Sequence, residues 1–115
     1  KDIYDWVQRE SEGSGKPFLV TEIGAGAIYG FRSHTLCKWS EEYQAKALED
    51  QITAVLEQEG CCGIFIWQLC DVRVSDEWFA SRPRTMNNKG IVDEYRRRKL
   101  AYDVVKRIYH AYEDK

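Results

Sequence analysis

The sequence lacks the features that mark membrane proteins, nucleic-acid-binding proteins and disulfide-rich domains. No apolar run reaches the length of a membrane span, and no signal peptide is visible. The formal net charge of −2 argues against the basic surface that binds nucleic acid. The cysteines include no C-x-x-C pair, so neither a zinc site nor a disulfide framework is indicated. We expect buried, free thiols in a reducing compartment, which favours the cytoplasm. The cysteines are Cys37, Cys61, Cys62 and Cys70.

What the sequence does contain is the composition of a folded domain. Of its 115 residues, 43% are hydrophobic and 31% are charged, which separates it from disordered chains. That length suits one domain or a piece of a larger one. Because the chain begins with Lys1 rather than Met, we expect an excerpt of a longer polypeptide.

A short apolar run ends in an acidic residue. Residues 18–21 (Phe-Leu-Val-Thr) predict a strand buried on both faces, and Glu22 follows directly. A carboxylate at the mouth of a buried strand is costly to desolvate unless it is used or paired. Glu22 is therefore the leading candidate for a functional residue. The alternative is a structural role, as a cap of the next loop or in an ion pair with an arginine.

The remaining pattern alternates helices and strands. Apolar spacing and end signals predict helices over residues 2–12, from Ser40 toward Gly60, and over 101–112. Residues 63–69 predict a second buried strand. Two buried strands joined by a helix indicate a βαβ unit, and therefore a parallel sheet.

Long loops follow both predicted strands, at residues 24–38 and 72–90. Strands followed by long loops and helices are typical of a (β/α)8 barrel, in which the catalytic loops follow the strands. We therefore predict an α/β fold: about the last two β/α units of such a TIM barrel, with two parallel strands and flanking helices. Residues 1–115 would form a C-terminal fragment of the barrel domain, because two strands alone leave apolar edges unpaired.

The loops carry further candidates. Arg32 lies among aromatic residues that suit either a sugar-binding rim or ordinary loop packing. Trp67 suits either core packing or the wall of a sugar site, and Asp71 is a polar group just after the second strand. The basic run at residues 96–99 is predicted to be a solvated helix start rather than a phosphate site.

Four motifs in order carry a family resemblance: Val20-Thr-Glu-Ile-Gly24, Trp39-Ser-Glu-Glu-Tyr-Gln44, Gly63-Ile-Phe-Ile-Trp67 and Asn87-Asn-Lys-Gly-Ile91. Together the motifs resemble the C-terminal part of the catalytic barrel of family 2 glycoside hydrolases, most of all the β-glucuronidases. The resemblance implies a retaining enzyme that hydrolyses β-D-glucuronides by double displacement.

The resemblance also implies roles for single residues. Glu22 stands where the family has its catalytic nucleophile, although Ile23 replaces the usual tyrosine. Asn87 and Lys89 match the pair that grips the carboxylate of the sugar, and Trp39 and Trp67 match aromatic positions of the family that shape the pocket. Trp67, together with Arg32 and Asp71 from the loops, completes the predicted substrate-binding set. Nearby cations or hydrogen-bond donors are expected to keep Glu22 ionised, and Arg32 and Arg73 are candidates for the cations. No metal or cofactor is required.

One catalytic group is missing from this chain. The acid/base glutamate of the family lies in an Asn-Glu pair, and no such pair occurs here. We therefore expect these 115 residues alone to have no hydrolase activity.

The expected ligand is a glucuronide or a related glycoside, and the expected protein partners are the rest of the barrel and upstream β-sandwich domains. The full-length enzyme is expected to form a homo-oligomer. Neither nucleic acid nor a membrane is expected as a partner. The alternatives are a family 2 β-galactosidase or galacturonidase and a non-catalytic carbohydrate-binding or interaction module.

Overall fold

A computed structural model describes residues 15–113 together with Asp5 and Arg9. Apart from those two positions, the helix predicted over residues 2–12 lies outside the described residues. In the part described, no helix combines the length and the apolar character needed to cross a bilayer.

The centre of the fold is a βαβ unit, as the sequence predicts. Strand β1 (Phe18–Ile23) leads through helix α1 (Glu41–Leu56) to strand β2 (Cys61–Ile66). The two strands are parallel, with Leu19 opposite Gly63 and Val20 opposite Ile64. Parallel strands need a long crossover because the second strand starts again at the same end of the sheet, and here α1 forms most of it.

Both helices begin close to where the sequence places them. The Ser40 hydroxyl caps α1 by accepting the Tyr43 N–H at 3.1 Å, and Glu41 and Glu42 favour the positive end of the helix dipole. The last helix, α2, is Leu100–Ala111. The predicted basic helix start therefore precedes α2 rather than forming its first turn.

The two helices pack against each other and against one face of the sheet. Seven buried apolar side chains form this core: Leu48, Ile52 and Val55 of α1, Ala101, Val105 and Ile108 of α2, and Ile64 of β2. Burying a Val, Leu or Ile side chain stabilises a fold by about 1.5–3 kcal/mol. The apolar stripes read from the sequence therefore account for this core.

The prediction that both strands are buried on two faces is wrong for the described chain. Helices α1 and α2 lie on one side of the sheet, and on the other side Leu19 is 47% and Phe65 is 60% exposed. The apolar run of each strand thus identifies a second face, which the described residues leave uncovered.

The loop after β2 has structure that the sequence did not predict. Strands β3 (Val72–Arg73) and β4 (Met86–Asn87) pair antiparallel, and a 3-10 turn (Pro83–Thr85) precedes β4. Residues 89–92 then run alongside residues 68–71, where four backbone hydrogen bonds of 3.0–3.1 Å join the two segments. Residues 89–92 therefore extend the parallel arrangement beyond β2.

The cysteine prediction is half right. All four thiols, which lie within residues 15–113, are free. However, Cys37 and Cys62 are exposed, and Cys61 and Cys70 are half-buried. The expectation of buried thiols is therefore wrong: Cys62, for example, projects from the uncovered side of β2, where its Sγ lies 3.0 Å from the Phe18 carbonyl oxygen.

Candidate active site

The residues that follow the parallel segments gather at one edge of the sheet. The Trp67 N–H donates to the Ile23 carbonyl at 2.7 Å, and the Gln68 N–H donates to the Lys89 carbonyl at 3.0 Å. Gly24 allows this close approach, because a Cβ there would lie 2.0 Å from the Trp67 carbonyl oxygen. The loops after β1 and β2 and the segment around Lys89 therefore meet at the edge where parallel sheets place their ligands.

Glu22 is the second-last residue of β1 and lies at this edge. Thr21 and Glu22 are both exposed, and the register of β1 against β2 shifts between Val20 and Ile23. Within the described part of the chain, the Glu22 carboxylate makes no hydrogen bond and no ion pair. The carboxylate is thus available to a group that approaches this edge.

Neither candidate cation, Arg32 or Arg73, forms an ion pair with Glu22 within the described residues. Arg32 pairs with Glu41, with 3.3 Å between Nε and Oε2, and its own side chain is 55% exposed. Arg73 is an exposed residue of β3. The contact seen for Arg32 is with the buried Glu41 carboxylate, so a role of Arg32 or Arg73 in keeping Glu22 ionised stays a prediction. Substrate binding by Arg32 stays a prediction.

A cavity of about 460 Å³ opens at the same edge. Its walls come from the loop after β1 (residues 24–26), from residues 38–39 ahead of α1, from two residues of α1 (43 and 51), from residues 81–82 and from residues 88–89. Glu22, Trp67 and Asn87 are not among the lining residues. The lining is mixed: backbone, aromatic and cationic groups all contribute. Such a cavity suits a small molecule that has both polar and apolar groups.

Asn87 and Lys89 belong to the segment that forms one wall of this cavity. The Lys89 N–H donates to Asn87 Oδ1 at 3.0 Å, and both residues are half-buried. Lys89 lines the cavity. Asn88 between them is buried, and its amide donates to the Pro83 and Met86 carbonyls at 2.9 and 3.1 Å. Asn88 and Lys89 therefore both line the cavity, and the Asn88 amide ties this segment to the 3-10 turn and to β4.

Two tryptophans border the same region. Trp67 directly follows β2 and is 43% exposed. The Trp39 ring lines the cavity and lies so near Gly26 that a Cβ there would be 2.6 Å from the ring. These positions fit aromatic walls, and neither ring belongs to the buried core.

The first turn of α1 holds the loops together through buried polar groups. Glu41 accepts the Gly30 N–H at 2.7 Å and the Leu100 N–H at 2.8 Å. Gln44 donates to the Ala25 and Gly90 carbonyls, both at 2.9 Å. Sequence reasoning missed this role. The sequence does contain one indication of it: these two polar residues lie on the same helix face as the apolar stripe, which predicts that they are buried.

Asp71 and Lys99 form a buried ion pair behind the cavity. Lys99 Nζ lies 2.8 Å from Asp71 Oδ1, and both side chains are fully buried. Asp71 also accepts the Gly90 N–H at 2.9 Å. Burial raises the pKa of Asp71 and lowers the pKa of Lys99, although the pairing acts in the opposite direction on each. Asp71 thus faces Lys99 rather than the cavity, so its position gives the predicted substrate contact no support. Lys99 is not part of a solvated basic run.

Known proteins resemble this chain over almost its whole length, although no protein-family model matches it. A β-galacturonidase of glycoside hydrolase family 2 from Eisenbergiella tayi, solved bound to galacturonate, is 68% identical over 96% of the chain, with a TM-score of 0.83. The chain belongs to glycoside hydrolase family 2. A β-glucuronidase structure from Ruminococcus gnavus is 27% identical over 98% of the chain, with the same TM-score. The β-glucuronidase of Felis catus is 36% identical over 98 residues, or 82% of the chain.

The family predicted from the motifs is confirmed, and the protein is glycoside hydrolase-like. The chain spans 20% of the E. tayi protein, 18% of the R. gnavus protein and 14% of the feline one. Two of the motifs that carried the family resemblance have visible structural roles: the Trp39–Gln44 motif caps α1 and ties the loops, and the Asn87–Ile91 motif forms a wall of the cavity.

Proposed function

We propose that this family 2 chain supplies the nucleophile and the carboxylate-binding residues of a retaining β-uronidase. The proposed substrate is a β-galacturonide. The observation that supports this best is that the C-terminal end of β1, which carries Glu22, and the segment that carries Lys89 meet at one edge of the sheet. Within the described residues the Glu22 carboxylate has no partner. The 68% identity to a protein named as a β-galacturonidase supports the choice of sugar.

In this proposal Glu22 attacks the anomeric carbon of the sugar. A bond forms between a Glu22 oxygen and that carbon as the bond to the leaving oxygen breaks, and a second carboxyl group protonates the leaving oxygen. Water then releases the sugar with the anomeric configuration retained. Retaining enzymes hold the two carboxyl groups about 5–5.5 Å apart. The second group is the acid/base glutamate that we place outside this chain.

Lys89 and Asn87 would recognise the carboxylate of the sugar. An ammonium group forms a charge-assisted hydrogen bond with a carboxylate, and an amide N–H adds direction. The Asn87 Oδ1 already accepts the Lys89 N–H, which leaves the Asn87 amide N–H groups for the ligand. Trp67 and Trp39 would form walls against the sugar ring, and Arg32 would contribute from the rim.

We also propose that residues 1–115 are a C-terminal fragment of the catalytic barrel and form its last two β/α units. The uncovered apolar face of the sheet supports this, since inward-facing residues of barrel strands need other strands to cover them. The partners would be the rest of the barrel and upstream β-sandwich domains. A homo-oligomer is proposed for the full-length enzyme.

The proposal predicts a preference that rates can measure. We expect the complete enzyme to cleave 4-nitrophenyl β-D-galacturonide with a kcat/KM about a hundredfold above that for the β-D-galactoside, since a lost charge-assisted contact costs ~3 kcal/mol. A preference for the galactoside, or no turnover of any glycoside, would contradict it. The second candidate substrate, a β-glucuronide, is favoured by the similarity to the feline and R. gnavus β-glucuronidases. The glucuronide rate, measured alongside, decides between them.

A further inference from the structure

Lys99 is buried, and its ammonium group donates hydrogen bonds to acceptors in three different loop segments. Its Nζ lies 2.7 Å from the Ala27 carbonyl oxygen, 2.8 Å from Asp71 Oδ1 and 3.1 Å from the Asn88 carbonyl oxygen. Ala27 lies in the loop after β1, Asp71 follows β2, and Asn88 directly precedes Lys89. One ammonium group therefore joins the start of the loop after β1, the segment after β2 and the segment that carries Lys89.

The backbone around Lys89 is held on both sides by this network. Lys99 binds the carbonyl of the residue before Lys89, and Asp71 accepts the N–H of Gly90 after it at 2.9 Å. Gln44 donates to the Gly90 carbonyl at 2.9 Å. The Lys89 carbonyl itself accepts from Gln68. The peptide groups next to the cavity thus have fixed partners, and the Lys89 side chain extends from a rigid base.

Stability alone does not explain why this ion pair is buried. Removing two charges from water costs several kcal/mol for each ion, and well-packed apolar residues often stabilise a fold as much or more. Burial also shifts the pKa of both partners against their charged forms. The network holds the loops in place at a cost in folding free energy. This indicates that the position of the loops serves a purpose other than stability.

We infer that Lys99 is a positioning residue: paired with Asp71, it fixes the backbone on both sides of Lys89 so that Asn87 and Lys89 meet the carboxylate of a uronic acid. This inference rests on the proposed function. Lys99 does not line the cavity, so it acts through Asn88 and Gly90 and not by touching the ligand. A shift of about 1 Å in a positioned group is enough to weaken its contribution by as much as a hundredfold.

The test is steady-state kinetics of the complete enzyme with Lys99→Met on 4-nitrophenyl β-D-galacturonide. We expect KM to rise at least about tenfold while kcat changes by less than about threefold, because the contact to the carboxylate is misplaced before the chemical step. A merely structural role would reduce the active fraction, and so lower kcat at an unchanged KM. The matched control is Lys46→Met, since Lys46 pairs with Asp50 on the exposed side of α1, and it should leave both constants unchanged.

Failure of the inference and failure of the proposed function give different experimental results. An unchanged KM in Lys99→Met overturns the inference, whatever kcat does. If thermal melting shows that Lys99→Met does not fold, Lys99→Gln is measured in the same way, with the same rise in KM expected, and an unchanged KM there overturns the inference equally. Wild-type enzyme that cleaves no uronide overturns the proposed function itself. A wild-type enzyme that cleaves the galacturonide while Lys99→Met and Lys99→Gln keep its KM overturns the inference alone.

Discussion

Glu22→Gln in the complete enzyme is expected to reduce kcat by at least about a thousandfold, the scale of loss seen when a catalytic nucleophile is removed. Glutamine has nearly the same size as glutamate, but its neutral amide does not form the covalent glycosyl intermediate. Glu22 is exposed and makes no hydrogen bond within the described residues, so the substitution should not change the melting temperature. Steady-state rates on the galacturonide and a thermal melt measure the two effects.

The matched control for this variant is Glu59→Gln. Glu59 is an exposed carboxylate in the turn before β2, at the opposite end of the sheet from Glu22. We expect Glu59→Gln to keep the wild-type rate. A Glu22→Gln enzyme that retains more than about a tenth of the wild-type kcat would remove Glu22 from the nucleophile role, because no other group on this chain is proposed to replace it.

Lys89→Ala is expected to lower kcat/KM on the galacturonide about a hundredfold, while the galactoside rate changes by less than about threefold. The expected loss of ~3 kcal/mol is that of a charged hydrogen-bonded partner at a desolvated site. Because the galactoside has no carboxylate, it loses no such contact. The measurement is the ratio of the two kcat/KM values in the variant and in the wild type.

Lys106→Ala provides the control for Lys89→Ala, because Lys106 is an exposed lysine of α2 outside the cavity. Its ratio of galacturonide to galactoside rates should equal that of the wild type. Equal losses on both sugars in Lys89→Ala would mean that Lys89 supports the site in general and does not read the carboxylate.

The βαβ unit was predictable because local signals agreed with the long-range structure. Ser40 caps α1 where the sequence indicates a helix start, and the apolar stripe buries Leu48, Ile52 and Val55. The parallel pairing followed from two apolar runs separated by a helix. The apolar runs of the two strands do not alternate with polar residues, so the sequence did not indicate which face the helices would cover. The exposure of Leu19 and Phe65 was therefore not predicted. The short β3–β4 pair carried too few residues to give a pattern.

The candidate site was only partly predictable, because some of its residues are held by contacts between segments that are distant in the sequence. Glu22 stood out because an acidic residue directly follows an apolar run, and Lys89 lines the cavity at the edge where the sequence placed it. The residues that hold the loops did not stand out. Lys99 lies in a run of basic residues, and its burial depends on acceptors at Ala27, Asp71 and Asn88 that are distant in sequence. Interactions of that kind emerge only when the chain is folded.

The most direct test of the central claim is to trap the covalent intermediate. The complete enzyme would be treated with a 2-fluoro-galacturonide that bears a good leaving group, because such a sugar forms the glycosyl-enzyme faster than water releases it. Proteolysis and mass spectrometry then locate the adduct. The account predicts one added sugar on the peptide that contains Glu22. An adduct on another carboxylate, or cleavage of the natural glycoside with inversion and no adduct, would contradict it.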